Sequence, residues 1–341
     1  MTILQLLGSA ADGGAETYFV DLVTALQSNA PDQVAGLRAH PGRSRAMANA
    51  DVPTGVFGFG GPLDRLTKPR LARFARRHGA THLVAWMNRA ARHAPAGPWR
   101  RFGRLGGYYD LKNYRGFDGL VGNTAHIRDW MVGEGWPASR AFHIPNFAEP
   151  GPEPALARSE LGTPDDVPLL LGMGRLHASK AHDVSLRALR QLPEAWLWIA
   201  GAGPLEAELR ALAGHLDVTE RVRFLGWRSD PAALYRAADV CVFPSRYEPL
   251  GNTVIQAWAH GLPIVAAASQ GPGSLIRDRQ DGRLVPVDDA DALAAALGEL
   301  LADAAGRTRL AQAGAQRVAA EFSKDAVVAQ WRELFAHNGA A

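Results

Sequence analysis

Five short apolar segments alternate with helix-length stretches between residues 168 and 267. The segments read PLLLGMG, AWLWIAG, VRFLG, DVCVFP and PIVAA, and the stretches between them predict helices near 182–191, 204–214, 231–237 and 252–260. Because a half-exposed strand would alternate apolar and polar residues, segments that are apolar throughout indicate strands buried on both faces. The pattern therefore predicts an α/β fold in which helices cover both sides of a parallel sheet.

The length of the chain indicates a second domain, since 341 residues exceed what one core usually holds. The amino-terminal part shows the same alternation less clearly, beginning with the strand TILQLL and the helix AETYFVDLVTALQ. A Pro-rich stretch near 148–160 has no apolar period and is the predicted linker. We predict doubly wound domains at 1–150 and 151–322, with a helical tail at 323–341. Ligands of such folds bind at the carboxyl ends of the strands, so we expect the chemistry in a cleft between the domains.

Cysteine content and hydropathy indicate the compartment. The single cysteine, Cys241, excludes an intrachain disulfide and lies in an apolar run, where we expect it to be a buried core residue. No apolar run approaches the roughly 18 residues of a membrane-spanning helix. The opening MTILQLLG is short and lacks the basic start of a signal peptide. We therefore expect a cytoplasmic protein.

The positive charge is concentrated in one part of the chain. Thirteen Lys and Arg stand against a single acid, Asp110, between Arg65 and Arg115, whereas the whole chain carries a net charge of only +3. The same stretch contains the aromatic residues Trp86, Trp99, Phe102, Tyr108, Tyr109 and Tyr114. Such one-sided charge predicts an anionic acceptor or contact with an anionic membrane, here the inner face of the cytoplasmic membrane. The alternative is an ordinary solvated face. No nucleic-acid motif accompanies the charge, so we expect no nucleic-acid partner.

The turn after DVCVFP is the strongest candidate site. Glu248 lies on this turn between a strand and a helix, and Gln256 follows one turn into that helix. Four backbone amides opening the helix could bind an anion; they belong to Leu250, Gly251, Asn252 and Thr253. The structural alternative is an exposed glutamate in a turn and a solvated helix glutamine.

Two further turns carry candidate binding residues. Arg175 and Lys180 follow the strand PLLLGMG and are close enough in sequence to grip a diphosphate, although a solvated loop is the alternative. Gly14 precedes the first helix, where a phosphate or sugar could approach the backbone, and Gly203 lies in the tight turn GAGP. Neither turn has the order of a dinucleotide fingerprint or a P-loop. His177 and His182 flank Lys180, but no third ligand lies near them in the sequence, so we do not expect them to bind a metal.

The carboxy-terminal part resembles the large retaining GT-B glycosyltransferase family, family four. The segments GRLHASK, AGAGP, RVRFLGW, ALYRAADVCVFPSRYEPLGNTVIQAWAHGLPIVA and DGRLVP follow the order and spacing of that family over about residues 168 to 336. The amino-terminal part is similar only at GGAE and HIPNF. The resemblance implies two Rossmann-like domains, the first on the acceptor side and the second binding a nucleotide-sugar donor. It also implies a last helix that crosses back to the first domain, and no metal or other cofactor.

The resemblance also implies roles for individual residues. Arg175 and Lys180 would neutralise the donor diphosphate, and Glu248 would accept hydrogen bonds from the donor sugar. The residues implied in donor binding are Gly14, Gly203, Trp227, Arg228, Leu250, Gly251, Asn252, Thr253 and Gln256. A glutamate is common in the family where this chain has Gln256. We therefore expect donor binding that is about tenfold weaker, because the amide lacks a charge.

The acceptor side departs from the family, which often has a histidine where this chain reads RLGGYYD. Asp110 is the candidate for a group that orients the acceptor hydroxyl, and its alternative role is an ion pair with a neighbouring cation. The other acceptor-side candidates are Asn88, Arg104 and Tyr108.

The expected reaction is transfer of a sugar from a nucleoside diphosphate, UDP rather than GDP, to a glycan or glycolipid such as lipopolysaccharide core. A sugar-nucleotide epimerase, a phosphorylase with a pyridoxal lysine, and a non-catalytic glycan- or nucleotide-binding protein remain as alternatives.

Overall fold

The computed structural model describes residues 1–11, 13–28, 32–60 and 64–336. The chain divides into two compact units. Unit 1 comprises Met1–Asn146 with Lys324–Ala341, and unit 2 comprises Phe147–Ser323. The sequence predicted domains at 1–150 and 151–322 and a tail at 323–341, of which residues 337–341 lie outside the described part.

A parallel sheet organises unit 1. Its strands, within the described residues, are β1 (Thr2–Leu7), β2 (Asp32–Leu37), β3 (Thr54–Val56), β4 (Ala80–Trp86), β5 (Arg100–Leu105), β6 (Gly119–Gly122) and β7 (Ala141–His143). They lie in the spatial order β3-β2-β1-β4-β5-β6-β7, and each neighbouring pair is parallel. The chain moves outward from β1 to β3 and then returns to start β4 beside β1. That reversal is a topological switch point, beyond which ligands of open α/β sheets bind.

Helices flank this sheet. They are α1 (Gly14–Ser28), α2 (Pro41–Asn49), α3 (Thr67–Arg77), α4 (Met87–His93) and α5 (Ala125–Gly133). Helix α3 shows how the local sequence decides the packing. It buries Leu71, Ala72 and Ala75 on one face, and the carboxylate of Asp64 accepts hydrogen bonds from the first amides. These bonds hold the pKa of Asp64 well below its usual value, the largest contribution being the hydroxyl of Thr67.

The basic stretch divides between core and surface. Trp86, Phe102 and Tyr114 are fully buried, so they are core residues and not part of an exposed basic and aromatic face. Arg104 is buried as well, at 1% exposure. In contrast, Arg65 and the cations of α3 are exposed: Lys68, Arg70, Arg73, Arg76 and Arg77. Six of the thirteen cations of this stretch therefore lie exposed on α3 or just before it.

Unit 2 has a second parallel sheet. Within the described residues its strands are β8 (Leu169–Met173), β9 (Trp196–Ala200), β10 (Val222–Gly226), β11 (Val240–Phe243), β12 (Ile264–Ala267) and β13 (Arg283–Val285). Their spatial order is β10-β9-β8-β11-β12-β13, so the topological switch point lies between β8 and β11. The strand order of unit 1 is repeated here without its seventh strand, and it is the order of Rossmann-like sheets.

Helices cover both faces of this sheet. They are α6 (His182–Arg190), α7 (Glu206–His215), α8 (Pro231–Ala237), α9 (Asn252–Ala259), α10 (Gln270–Leu275), α11 (Ala290–Ala302) and α12 (Ala304–Arg317). Along β11, Val240 and Val242 enter one apolar cluster while Cys241 and Phe243 enter another on the opposite face. All four side chains are at most 2% exposed, which confirms the prediction of strands buried on both sides and of a buried Cys241.

The last helix, α13 (Lys324–Ala336), belongs to unit 1 although it follows unit 2 in the chain. Its buried side chains include Trp331 and Phe335. The Phe335 ring lies 5.6 Å from the ring of His82 on β4 and 6.2 Å from that of Phe102 on β5. The predicted return of the carboxy-terminal helix to the first domain is thus confirmed. None of the helices that the structure describes combines the length and the apolar character needed to cross a membrane.

Candidate functional site

The loops after β8 and β11 flank the switch point of unit 2, and they carry the strongest candidates from the sequence. The β8 loop, residues 174–181, contains Arg175 and Lys180, and the β11 loop, residues 244–251, contains Glu248. Parallel strands that are neighbours in a sheet end at the same edge, and β8 pairs directly with β11. The fold therefore brings together two loops that are about 70 residues apart in the sequence.

The β8 loop is held by backbone contacts to the turn after β9. The amide of Leu176 donates to the carbonyl of Ala202 over 3.1 Å, and the amide of Leu205 donates to the carbonyl of Leu176, also over 3.1 Å. A Cβ atom at Gly203 would lie 2.4 Å from the Leu176 carbonyl oxygen, which no side chain can do without displacing the backbone. Gly203 thus packs against the backbone of the β8 loop, which carries Arg175.

Lys180 and Glu248 form an ion pair between the two loops. The Nζ of Lys180 contacts one carboxylate oxygen, and the other oxygen accepts the amides of Leu250 at 3.3 Å and Gly251 at 3.1 Å. Both side chains are half-buried, with exposed fractions of 25% for Lys180 and 13% for Glu248. The partial loss of solvent strengthens the attraction relative to a surface pair.

Helix α9 begins directly after this turn. Gly251 is its N-cap and has a left-handed φ of 85°, which ends the turn and lets the helix start at Asn252. The side chain of Thr253 is hydrogen-bonded to the buried Tyr235. Gln256 lies one turn further on and is partly exposed, and its side chain has no hydrogen bond to a described residue. The side-chain amide of Gln256 is thus available to a ligand.

A second ion pair ties the β11 loop to the start of α6, and the sequence alone did not reveal it. The guanidinium of Arg246 binds the carboxylate of Asp183 through two hydrogen bonds of 2.9 and 2.8 Å, and it also contacts Asp288. Burial would raise the pKa of Asp183, but the hydrogen bonds from Arg246 and Arg187 outweigh burial and keep that pKa below its usual value. The signal for this pair is weak in the sequence, because 63 residues separate its members.

Gly271 is a further residue that sequence reasoning missed. Its amide donates to the carbonyl of Glu248 over 2.7 Å. A Cβ atom at Gly271 would lie 2.5 Å from the carbonyl carbon of Leu250, so a side chain here would displace the turn that carries Glu248. The glycines of the segment SQGPGS were the only available signal in the sequence.

The other predicted donor-binding residues of unit 2 lie on loops at the same edge of the sheet. Arg175 is exposed, and among the described residues it forms no ion pair. Trp227 follows β10 and is 75% exposed. Arg228 is paired with Asp230, with Nε 2.8 Å from the carboxylate. The cation of Arg228 is therefore already partly neutralised, whereas that of Arg175 is not.

His182, the first residue of α6, is not placed as a metal ligand. His182 is buried, and burial lowers its pKa to about 4, so it is neutral at physiological pH. Its Nε2 contacts the carbonyl of Gly174 at 3.2 Å. Across the residues that the structure describes, no cluster of three or more His, Cys, Asp or Glu could hold a metal ion.

The acceptor-side candidates lie in unit 1 and do not form one cluster. Arg104 is buried, donates to Asn146 and lies 4.8 Å from the Trp86 ring, so its position is structural and not that of an exposed acceptor ligand. Tyr108 contacts His126, with 2.8 Å between Oη and Nδ1. Asp110 is exposed and paired with Lys112, whose hydrogen bond lowers the Asp110 pKa. This is the alternative role that the sequence left open for Asp110.

Asn88 and Gly14 are placed differently. Asn88 is the second residue of α4, at the carboxyl end of β4, where its Oδ1 is buried without a partner among the described atoms. Gly14 is the first residue of α1 and follows the loop after β1. Both residues therefore lie at the switch point of unit 1.

Comparison with known proteins connects this architecture with a family. The model of the group 1 glycosyl transferases matches residues 155–317. The lipopolysaccharide core biosynthesis glycosyltransferase LpsE of Rhizobium meliloti (strain 1021) is 36% identical over 329 residues, covering 95% of this chain and 96% of LpsE. LpsD of the same organism is 34% identical over 329 residues, covering 95% of each chain.

A solved structure confirms the fold. HepE of Anabaena, in complex with UDP-glucose, has a TM-score of 0.85 and 21% sequence identity, covering 98% of this chain and 99% of HepE. The resemblance inferred from the motifs after β8 and β11 is thus confirmed at the level of family and fold. Because relatives that are more than 30% identical match nearly the whole chain, the protein belongs to the group 1 glycosyl transferases and is a glycosyltransferase enzyme of GT-B fold.

Proposed function

We propose that this protein is a retaining glycosyltransferase that moves a sugar from a UDP-sugar to a hydroxyl of lipopolysaccharide core. The observation that carries the proposal is the convergence of Lys180 and Glu248, which belong to separate loops, at the switch point of unit 2. The name of the Rhizobium relatives supports the acceptor, and the UDP-glucose in the Anabaena structure supports the donor.

The proposed mechanism is stabilisation of the departing diphosphate. Negative charge grows on the nucleoside diphosphate as the bond to the sugar breaks, and Lys180 and Arg175 supply fixed positive charge from one loop. The amides that open α9 add hydrogen-bond donors beside them. Preorganised charge of this kind is usually the largest contribution to catalysis. The protein thus supplies the neutralisation that a metal would otherwise provide, so turnover should persist in EDTA.

Glu248 has a separate role in this proposal. Its carboxylate accepts hydrogen bonds from the amides of Leu250 and Gly251 and from the Lys180 ammonium. When a donor diphosphate recruits Lys180, one carboxylate oxygen becomes free to accept a sugar hydroxyl. Glu248 would then orient the anomeric carbon towards the acceptor. The acceptor hydroxyl would form the new bond on the face from which the diphosphate leaves and pass its proton to the departing diphosphate, so the product would keep the anomeric configuration.

A panel of nucleotides tests the donor assignment. A ligand at 100 times its dissociation constant adds about 2.7 kcal/mol of stability, which thermal unfolding detects easily. We expect a shift with UDP and UDP-sugars that exceeds the shift with GDP and GDP-sugars. A larger shift with GDP would contradict the choice of base.

The reaction itself is tested with a UDP-sugar and truncated lipopolysaccharide core. The expected outcome is transfer that needs the acceptor, with an α-configured bond from an α-configured donor as determined by NMR. Epimerised donor in the absence of acceptor would instead identify an epimerase. Nucleotide binding without transfer or donor hydrolysis would identify a non-catalytic binding protein.

We also propose that α3 holds the protein on anionic lipid. Its exposed face carries Lys68, Arg70, Arg73, Arg76 and Arg77, and the helix contains no acid. Leu66, just before the helix, is 68% exposed and could enter the lipid interface. Each cation near an anionic surface contributes about 1 kcal/mol, so four or five engaged residues suffice for binding.

Liposome flotation tests this contact. The protein should float with vesicles that contain phosphatidylglycerol and not with neutral phosphatidylcholine vesicles. The double variant R70Q/R73Q should lose most of the binding, whereas R190Q/R309Q removes two exposed arginines of unit 2 and should keep it. Equal loss in the two variants would mean that total charge, and not α3, determines binding.

A further inference from the structure

Unit 1 has a cavity of about 410 Å³, and none of the predicted donor-binding residues is among those that line it. It lies beyond the carboxyl ends of β1, β2 and β4, at the switch point of this sheet. Its polar lining includes Glu16, Arg38, Asn88 and Arg89. A volume of this size is enough for one or two sugar rings.

Two arginines give the cavity its charge. Arg38 follows β2 and Arg89 lies on α4, and neither guanidinium forms an ion pair with a described residue. Glu16, on α1, is the one carboxylate among the described residues that line the cavity. The described lining residues therefore carry an excess of one positive charge, and they offer two planar guanidinium groups that match a carboxylate or a phosphate.

A buried amide supplies a different recognition element. The Oδ1 of Asn88 is inaccessible to solvent and has no hydrogen-bond partner among the described atoms. An orphaned buried acceptor costs about 1–3 kcal/mol, so a rotation of the Asn88 side-chain amide that presents Oδ1 to a sugar hydroxyl in the cavity would be favoured. The backbone supports this placement at a cost, since the preceding residue, Met87, has a positive φ of 62°.

Buried groups fix the walls of the cavity. The guanidinium of Arg43, itself buried, donates to the carbonyls of Ser9 (2.6 Å) and Ala11, and so it holds the loop after β1. A Cβ atom at Gly8 would lie 3.0 Å from the Cγ of Arg89, so this glycine lets the Arg89 stem pack against β1. The arginine is therefore positioned and not merely exposed.

We infer that this cavity binds an acidic sugar, in which a carboxylate or phosphate contacts Arg38 and Arg89 while a neighbouring hydroxyl donates to Asn88. The inference rests on the proposed function and narrows it, because it assigns an anionic residue of the acceptor glycan to unit 1. A neutral hexose would leave both guanidinium groups without a partner. Such a residue would orient the acceptor through its charge and not through its reacting hydroxyl.

Four probes separate the parts of this inference: glucuronate, glucose 6-phosphate, glucose and inorganic phosphate. Ligand-observed NMR titration of the full chain should show that both acidic sugars bind at least tenfold more tightly than glucose. Arg38→Gln and Arg89→Gln should each weaken the acidic sugars by about tenfold, the loss of one charge-assisted hydrogen bond. Arg92→Gln removes an exposed arginine of the same helix, outside the cavity, and should have no effect.

Asn88→Ala distinguishes a sugar site from a phosphate site. It should weaken the binding of glucuronate and glucose 6-phosphate several-fold and leave the binding of inorganic phosphate unchanged, because phosphate lacks the sugar hydroxyl that donates to Asn88. Equal binding of glucose and glucuronate, or equal losses in the Arg38 and Arg92 variants, would overturn the inference. Inorganic phosphate that matches glucose 6-phosphate, with no effect of the Asn88 change, would overturn the sugar part.

Parallel titration with UDP separates this inference from the function on which it rests. If UDP binds and the acidic sugars do not, the inference alone fails. If acidic sugars bind but neither UDP binding nor transfer is observed, the proposed function fails and the sugar site in unit 1 remains. Thermal unfolding of each variant without ligand identifies any that is misfolded, and for such a position Arg→Met, which keeps an apolar stem and removes the charge, replaces Arg→Gln.

Discussion

Replacement of Glu248 by glutamine should have opposite effects on nucleotide binding and on catalysis. The Glu248 carboxylate is paired with the ammonium of Lys180. A diphosphate that binds Lys180 must compete with this carboxylate. Glu248→Gln removes the competitor and keeps the size of the side chain, so UDP should bind more tightly although sugar transfer is lost.

The magnitude follows from the environment of the pair. Exposed ion pairs contribute about 0.2–1 kcal/mol, and hydrogen bonds to charged groups contribute about 1.5–3 kcal/mol. Lys180 and Glu248 retain 25% and 13% of their exposure, so solvent still screens the attraction and a value of about 1 kcal/mol is appropriate. Release of that competition corresponds to about fivefold tighter binding of UDP. The free energy of unfolding of the unliganded variant should fall by a similar amount.

Isothermal titration calorimetry with UDP measures the first effect and urea unfolding the second. Glu206→Gln is the matched control, because Glu206 is also paired with a cation, Arg210, but lies on α7 at an exposed position. The control should change neither UDP affinity nor turnover. UDP affinity that is unchanged or weaker in Glu248→Gln would refute the view that Lys180 exchanges a carboxylate for a diphosphate.

The remaining predictions concern the same loops. Gln256→Glu should tighten UDP about tenfold, because a charged acceptor for the ribose hydroxyls contributes more than an amide; calorimetry that shows equal or weaker binding would contradict this. Gly271→Ala should destabilise unit 2 by about 1–3 kcal/mol and weaken UDP binding, since its Cβ would lie 2.5 Å from the Leu250 backbone. Gly273→Ala is its control in the same helix, with the nearest atom at 3.4 Å. The lowered pKa of Asp183 predicts stability that is present above its ordinary pKa of about 3.8 and lost as the pH falls further. Asp183→Asn should therefore be less stable than the wild type near neutral pH, and urea unfolding should show a difference that shrinks as the solution is acidified.

The second sheet was predictable because its strands carry a strong local signal. The observed helices α6, α8 and α9 agree with their predicted bounds to within one residue. In contrast, β5 was missed. Its sequence RRFGRL has only two large apolar residues, and it is a strand because it pairs on both sides, with β4 and with β6. Local pattern cannot report such pairing, since both partners are distant in sequence.

The candidate site was predictable where the local sequence shows a turn after a strand, but not where a residue's function depends on an ion-pair partner that is distant in the sequence. Glu248 and Lys180 could be proposed because each follows an apolar strand on a turn. Arg246 and Asp183 gave no such signal, because charged residues in loops are ordinarily solvated. Arg104, an acceptor-side candidate from the sequence, is buried for a reason that also lies in remote contacts. A charged residue in a basic stretch is expected at the surface, but this one is buried against the rings of Trp86 and Tyr18.

Charge is arranged differently at the two switch points, although the strand order is the same. In unit 2 the ammonium of Lys180 is already paired with Glu248. An anionic ligand there therefore gains only the difference between its own interaction energy with Lys180 and that of the Glu248 carboxylate. In unit 1 Arg38 and Arg89 have no described counter-ion, so an anion there gains the whole interaction minus its own desolvation. Removal of the Glu248 carboxylate should therefore strengthen anion binding at the switch point of unit 2. At the switch point of unit 1, only removal of the Arg38 or Arg89 cation should have a large effect. Because the donor must displace Glu248 from Lys180, this ion pair lowers the affinity for the donor. The pair also keeps Lys180 in place before the donor arrives, and preorganisation of this kind favours the charge that develops in the transition state over the charge of the bound donor.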